Sequence, residues 1–118
     1  MEPEGRPILV VDDDQAIRDS IAAALELDGY PVRLAAEALE AIEEQPPSLV
    51  VLDMVMPVLD GRAFAEELRI RGFDPPILVI SASQDPERSA KEIGASGSVA
   101  KPFDIQQLLT KVEQLRVA

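Results

Sequence analysis

The sequence predicts an α/β fold in which a doubly wound parallel sheet of five strands is covered by helices on both faces. Short apolar runs alternate along the chain with segments that have the spacing of an amphipathic helix, and the strand-then-helix unit repeats five times. Three of the runs are apolar throughout, which is typical of strands buried on both faces of a parallel sheet. Right-handed crossovers between such strands place helices on the two faces.

The predicted strands are the apolar runs themselves. In chain order they are Ile8–Val11, Val32–Ala36, Leu49–Leu52, Ile77–Ile80 and a weaker fifth at Ser98–Ala100. Pro31 stands before the second run and predicts an edge strand, because proline has no N–H to donate to a neighbouring strand. No linker or low-complexity tract divides the repeats, so a single domain is predicted over residues 1–118.

Each strand is followed by a helical segment with a recognisable start or end. Asp14 is the predicted N-cap of the first helix and Gly29 lies just past its end. The second helix, around Leu39 and Ile42, is stopped by Pro46. The third helix contains Phe64 and Leu68, with Asp60 as its cap and Gly72 as its stop. The fourth begins at Asp85-Pro86 and ends near Gly94. The fifth begins after Asp104 and has an apolar stripe of Ile105, Leu108, Leu109, Val112 and Leu115.

Composition narrows the possible functions. The 118 residues include 22 acidic and 11 basic side chains, a formal net charge of −11, no cysteine and no histidine. Disulfides, thiol nucleophiles, zinc–thiolate sites and imidazole relays are therefore excluded. Any metal must be bound by oxygen, which favours Mg²⁺, Mn²⁺ or Ca²⁺. The negative excess repels phosphate backbones and argues against unaided binding of nucleic acid.

The chain also lacks the sequence signals of membrane insertion or export. No apolar stretch approaches the ~20 residues that span a bilayer, and the N-terminal segment Met1–Gly5 does not resemble a signal peptide. We therefore predict a cytoplasmic location without membrane contact.

Polar residues follow the predicted strands at their carboxyl ends, where folds of this kind bind ligands. Asp12 and Asp13 follow the first strand, Asp53 the third, Ser81 the fourth and Lys101 the fifth. Three carboxylates that meet at one edge of the sheet repel one another unless a cation such as Mg²⁺ relieves the repulsion. A cation, a hydroxyl and an ammonium around a carboxylate also suit phosphoryl transfer to an aspartate. The pattern therefore predicts phosphoryl transfer to Asp53.

In order and spacing, several segments resemble the receiver domain of two-component response regulators. They are Ile8–Asp14, Val50–Pro57, Leu59–Gly61, Ile80–Ala82, Gly94–Ala95 and Lys101–Phe103. The resemblance extends over residues 6–117. It implies a flavodoxin-like (βα)5 sandwich with strand order 2-1-3-4-5, and a phosphorylation-dependent signalling switch in a phosphorelay rather than an enzyme with an external substrate.

The resemblance also implies roles and partners. Asp53 would accept a phosphoryl group from a phosphohistidine of a sensor kinase or phosphotransfer protein, Lys101 would pair with acceptor and phosphoryl, and Ser81 would hydrogen-bond a phosphoryl oxygen. Because the chain has no histidine, the donor histidine would belong to another protein or domain. A downstream protein target or attached output domain is expected, with a possible homodimer through the face formed by residues 85–117.

The family pattern further implies a metal site. Mg²⁺, with Mn²⁺ as an alternative, would be bound by Asp13 directly, by Asp12 mainly through water, by Asp53 and by the backbone carbonyl of Val55.

Val55 and Ser83 occupy positions at which the family tunes the lifetime of its acyl phosphate, and the apolar Val55 predicts slow self-dephosphorylation. Ser98 occupies the position of the family's usual switch aromatic, so the usual coupling between site and surface is in question.

Two other functions stay open at the level of sequence. The spacing of Asp12 and Asp14 is similar to the start of haloacid-dehalogenase-like phosphatases, although those folds need a longer chain and a late acidic pair, where only Asp104 and Glu113 remain. A non-phosphorylated scaffold of the receiver type is the third possibility. The absence of the usual switch aromatic at Ser98 is compatible with it.

Overall fold

The computed structural model describes residues 6–12, 14–34, 47–53, 61–73, 75–81, 86–101 and 103–116. The strands in these residues are β1 (Ile8–Val11), β2 (Val32–Leu34), β3 (Leu49–Asp53), β4 (Ile77–Ser81) and β5 (Gly97–Ala100). The helices in these residues are α1 (Gln15–Leu27), α2 (Gly61–Ile70), α3 (Pro86–Ile93) and α4 (Ile105–Leu115).

The five strands form one parallel sheet in the order β2-β1-β3-β4-β5, which confirms the predicted fold class and strand order. Strand β2 lies at one edge and is only partly buried, as Pro31 predicted. The carbonyl oxygen of Pro31 accepts a hydrogen bond from Ile8 N at 2.9 Å. Proline therefore takes part at this edge as an acceptor, the one backbone role that it retains.

Alternate residues of the central strands point into two separate cores. Ile8 and Val10 of β1 belong to one core with residues of α1 and α4, whereas Leu9 and Val11 belong to the other with residues of α2 and α3. The period of two in a strand sends neighbouring side chains to opposite faces. Helices therefore cover both faces, and the apolar runs without alternation are explained by burial on each side.

The predicted helix signals are confirmed where the structure describes them. Oδ1 of Asp14 accepts hydrogen bonds from Ala16 N and Ile17 N at 2.9 and 3.2 Å, which satisfies two N–H groups that have no partner within the helix. Asp104 caps α4 in the same way, through Gln106 N at 2.8 Å. Gly29 follows α1 with a φ of +92°, a backbone conformation that favours glycine.

Three strand boundaries differ by one residue from the apolar runs. Strands β3 and β4 extend to Asp53 and Ser81, and β5 begins at Gly97, because backbone pairing does not depend on side-chain polarity. The predicted helix around residues 39–42, the end of the second run at residues 35–36, and the predicted caps at residues 60 and 85 lie outside the described residues. Within the described part of the chain, no helix has the length and apolar character needed to cross a membrane.

Candidate functional site

Four of the predicted site residues lie in a row along the carboxyl edge of the sheet. The register pairs Val11 with Leu52, so Asp12 and Asp53 come at the next step of neighbouring strands β1 and β3. Asp53 itself pairs with Ile80 of β4, and Ser81 is the following residue. Because adjacent strands lie about 4.8 Å apart, the backbone brings these residues to one edge although they are far apart in sequence.

Asp12 is held in place by its own turn. Its carboxylate is 3% exposed, and Oδ1 accepts a hydrogen bond from Asp14 N at 2.9 Å. Its second oxygen, Oδ2, is buried as well. A buried carboxylate is costly in free energy unless hydrogen bonds or a positive charge compensate it, which is a reason to expect a cationic partner at this edge.

Ser81 and Lys101 complete the row on the other side of Asp53. Ser81 is 1% exposed at the end of β4, and its carbonyl oxygen accepts a hydrogen bond from Lys101 N at 2.8 Å. Lys101 is half-buried directly after β5. The polypeptide therefore places a serine and a lysine at the same edge as the acidic residues, in the order that the sequence predicted.

The donors at this edge fit a hard cation. The buried Asp12 has carboxylate oxygens, the kind of ligand that Mg²⁺ and Mn²⁺ prefer, and Asp53 ends the neighbouring strand. Asp13 and Val55 lie outside the described residues, as does the side chain of Asp53. Within the part that the structure describes, no three acidic side chains come together as a metal site, so the predicted ligand set stays a prediction.

Sequence reasoning missed a contact of Arg18 with the site. The Nη1 atom of Arg18 donates a hydrogen bond to the backbone oxygen of Asp12 at 2.8 Å, and the side chain is half-buried. The available signal was the position of Arg18 in the first turn of α1, since helical side chains lean toward the N-terminus of their helix.

A second missed feature is an open groove next to Ser98. The groove has a volume of about 340 Å³. Its lining combines small residues of α3, β5 and the turn between them with the charged side chains of Glu87, Lys91 and Lys111. Ser98 pairs with Val79 in the sheet and is half-buried. Ser98 is one of the residues that line the groove.

Comparison with known proteins agrees with this geometry. Residues 8–113 match the family model described as the response regulator receiver domain. The chain is 44% identical over 113 residues to the response regulator MprA of Mycobacterium sp. (strain KMS), covering 92% of this chain and 49% of the relative. Identity to MprA of Mycobacterium leprae is 42%, with 92% and 50% covered. The chain thus spans about half the length of the curated relatives it matches.

Solved structures have the same architecture. The chemotaxis protein CheY4 of Vibrio cholerae superimposes with a TM-score of 0.82 at 30% identity, covering 94% of this chain and 98% of that one. The receiver domain of NtrX from Brucella abortus superimposes with a TM-score of 0.80 at 36% identity, covering 92% and 96%.

Proposed function

Since this chain belongs to the response regulator receiver domain family of two-component signalling, we propose that it is a phosphorylation-dependent switch whose phosphoacceptor is Asp53. The observation that carries the proposal is the row of strand ends. Asp12, Asp53, Ser81 and Lys101 follow or end four different strands and meet at one edge of the sheet. That edge combines a carboxylate nucleophile with a hydroxyl and an ammonium group.

The proposed reaction is a displacement at phosphorus. A carboxylate oxygen of Asp53 attacks the phosphorus of a phosphohistidine, a P–O bond forms, and the P–N bond breaks as the imidazole leaves. The product is an acyl phosphate on Asp53 and a histidine that takes up a proton. The donor belongs to another protein or domain, because this chain has no histidine.

Ser81 and Lys101 would stabilise charge during the transfer. The transferring group carries negative charge on its equatorial oxygens, and fixed donors aimed at that charge lower the barrier. The hydroxyl of Ser81 would donate to one of these oxygens, and the ammonium of Lys101 would bridge acceptor and phosphoryl group. The hydrogen bond from Lys101 N to the Ser81 carbonyl oxygen holds the backbones of the two residues side by side at this edge.

A divalent cation would complete the site. Asp12, Asp13, Asp53 and the backbone oxygen of Val55 would hold Mg²⁺ or Mn²⁺, as the all-oxygen donor set favours. When bound, the ion would supply positive charge that offsets the charge of the clustered carboxylates and of the phosphoryl oxygens.

The proposed partners follow from the switch. A sensor kinase or phosphotransfer protein would supply the phosphoryl group, and a protein target or an attached output domain would respond. The face of residues 85–117 is the proposed surface for the target or for a second copy. It includes the groove beside Ser98, whose charged lining residues are two lysines and one glutamate. A cytoplasmic location is proposed with these partners.

The test is intact-mass measurement after incubation with Mg²⁺ and acetyl phosphate or phosphoramidate. We expect one added phosphoryl group, which is lost in Asp53→Asn and requires the metal. Asp19→Asn, on the exposed surface of α1, is the matched control and should be labelled like wild type. Absence of an adduct with a freshly prepared donor would reject the switch and favour the scaffold. Saturable turnover of a phosphate ester would instead favour the phosphatase.

A further inference from the structure

We propose that Arg18 is a positioning residue for the acidic site, acting through the backbone of Asp12. This inference rests on the proposed phosphoacceptor function, since the site that Arg18 positions is the one at which Asp53 would be phosphorylated. Its guanidinium lies 2.8 Å from the Asp12 carbonyl oxygen, measured from Nη1. In this role Arg18 acts through the peptide group that follows β1, which its guanidinium contacts.

The hydrogen bond from Arg18 to the Asp12 carbonyl oxygen restrains the orientation of one peptide plane. The carbonyl oxygen of Asp12 belongs to the planar peptide unit that joins Asp12 to Asp13. A guanidinium bound to that oxygen resists rotation of the whole unit. Arg18 therefore restrains the direction in which the chain leaves β1 toward Asp13, the residue predicted to bind the metal directly.

The same turn is restrained at three further points. Asp14 N donates to Oδ1 of Asp12 at 2.9 Å, Asp14 caps α1 through Ala16 and Ile17, and Arg18 N donates to the Asp14 carbonyl oxygen at 2.9 Å. The side chain of Arg18 extends from α1 back to the end of β1. Without it, the backbone oxygen of Asp12 loses a charge-assisted hydrogen bond in a partly buried place.

If Arg18 acted only through its charge, its removal would change Mg²⁺ affinity in the opposite direction from that expected for a positioning role. Removing a positive charge next to a cation site raises affinity for the cation by Coulomb's law. Removing a group that orients the ligands lowers affinity, commonly by about 10-fold or more. The direction of the change in Mg²⁺ affinity therefore separates the positioning role from a role of charge alone.

The experiment measures Mg²⁺ affinity by isothermal titration calorimetry on Arg18→Met, Arg18→Lys and Arg33→Met. Arg18→Met keeps most of the apolar stem and removes donor and charge. Arg33 is exposed on β2 and donates to the backbone oxygen of its neighbour Val32, so Arg33→Met is the control with the same change in charge. We expect Mg²⁺ to bind about 10-fold more weakly to Arg18→Met, with an intermediate loss in Arg18→Lys and a change below about twofold in the control.

Unchanged or tighter Mg²⁺ binding by Arg18→Met would overturn the inference. If that variant does not fold, as judged by circular dichroism, Arg18→Lys decides alone, and affinity equal to that of wild type rejects the positioning role. Labelling with phosphoramidate is measured in parallel on the wild type. Weaker metal binding by the variant together with an unlabelled wild type would reject the proposed phosphoacceptor function and leave the role of Arg18 standing.

Discussion

The backbone N–H of Lys101 donates a 2.8 Å hydrogen bond to the carbonyl oxygen of Ser81, and this bond joins the ends of β4 and β5 at the carboxyl edge of the sheet. Because both partners are backbone atoms, side-chain substitution at either position leaves the bond in place. The hydroxyl of Ser81 and the ammonium of Lys101 can therefore be removed one at a time while the edge that presents them is retained.

We predict that Lys101→Ala separates phosphorylation from metal binding. The ammonium is expected to stabilise charge during transfer, so its loss should abolish labelling by phosphoramidate or slow it roughly 100-fold. The metal is expected to bind to oxygen ligands, so Mg²⁺ affinity from calorimetry should stay largely intact. Lys91→Ala, an exposed lysine of α3, removes the same charge and should be labelled normally. Parallel loss of labelling and Mg²⁺ binding in Lys101→Ala would contradict this division of roles.

The phosphorylated protein is predicted to lose its phosphoryl group slowly. The apolar side chain of Val55 has no group that could position a hydrolytic water by hydrogen bonding. Phosphoprotein separated from its donor and kept in Mg²⁺ buffer should therefore persist when followed by intact mass at intervals. Val55→Gln, which introduces such a group, should shorten the lifetime. Loss of the adduct from wild type within seconds would refute the prediction.

Two leucines of α1 provide a matched test of the core. Leu25 is fully buried, whereas Leu27 is 89% exposed two residues later. Leu25→Ala should lower the free energy of unfolding by about 2–5 kcal/mol, through lost burial and the cavity left behind. Leu27→Ala should change it by less than about 0.5 kcal/mol, as is usual for surface substitutions. Urea denaturation followed by circular dichroism measures both, and equal effects would place the helix in a different orientation.

A cation–π contact ties the end of α4 to the segment after α1. The guanidinium carbon of Arg116 lies 4.9 Å from the ring centroid of Tyr30, and Tyr30 packs against the core shared by α1 and α4. Arg116→Gln should lower the free energy of unfolding by about 0.5–1 kcal/mol. It should also change the fluorescence of Tyr30, because the chain has one tyrosine and no tryptophan. Identical emission and stability in Arg116→Gln and in Arg33→Gln would show that the contact contributes nothing in solution.

Local patterns in the sequence were enough to predict the architecture and the edge of the sheet at which the candidate site residues meet. Fully apolar runs such as Ile8–Val11 and Ile77–Ile80 identify strands buried on both faces. Asp14 and Asp104 act as caps over two or three residues of chain. The polar residues that end these runs, Asp12 and Ser81, were predictable for the same reason, because parallel strands bring their carboxyl ends to one edge.

Contacts that depend on side-chain direction or on the packing of elements were not predictable in this way. The position of Arg18 in the first turn of α1 predicts a side chain that leans toward the end of β1. That position does not identify the carbonyl oxygen of Asp12 as its hydrogen-bond partner. The groove beside Ser98 depends on how α3 and α4 pack against β5, and the contact of Arg116 with Tyr30 joins residues far apart in the chain.

The order of residues alone thus specified which strands form and which acidic, hydroxyl and ammonium groups stand at their ends, because periodicity and capping act over a few residues. The register that brings Asp12 level with Asp53, and the return of Arg18 to the end of β1, arise from packing between distant segments. Such packing is set by contacts between distant segments of the assembled sheet and its helices, so it cannot be predicted from patterns that extend over only a few residues.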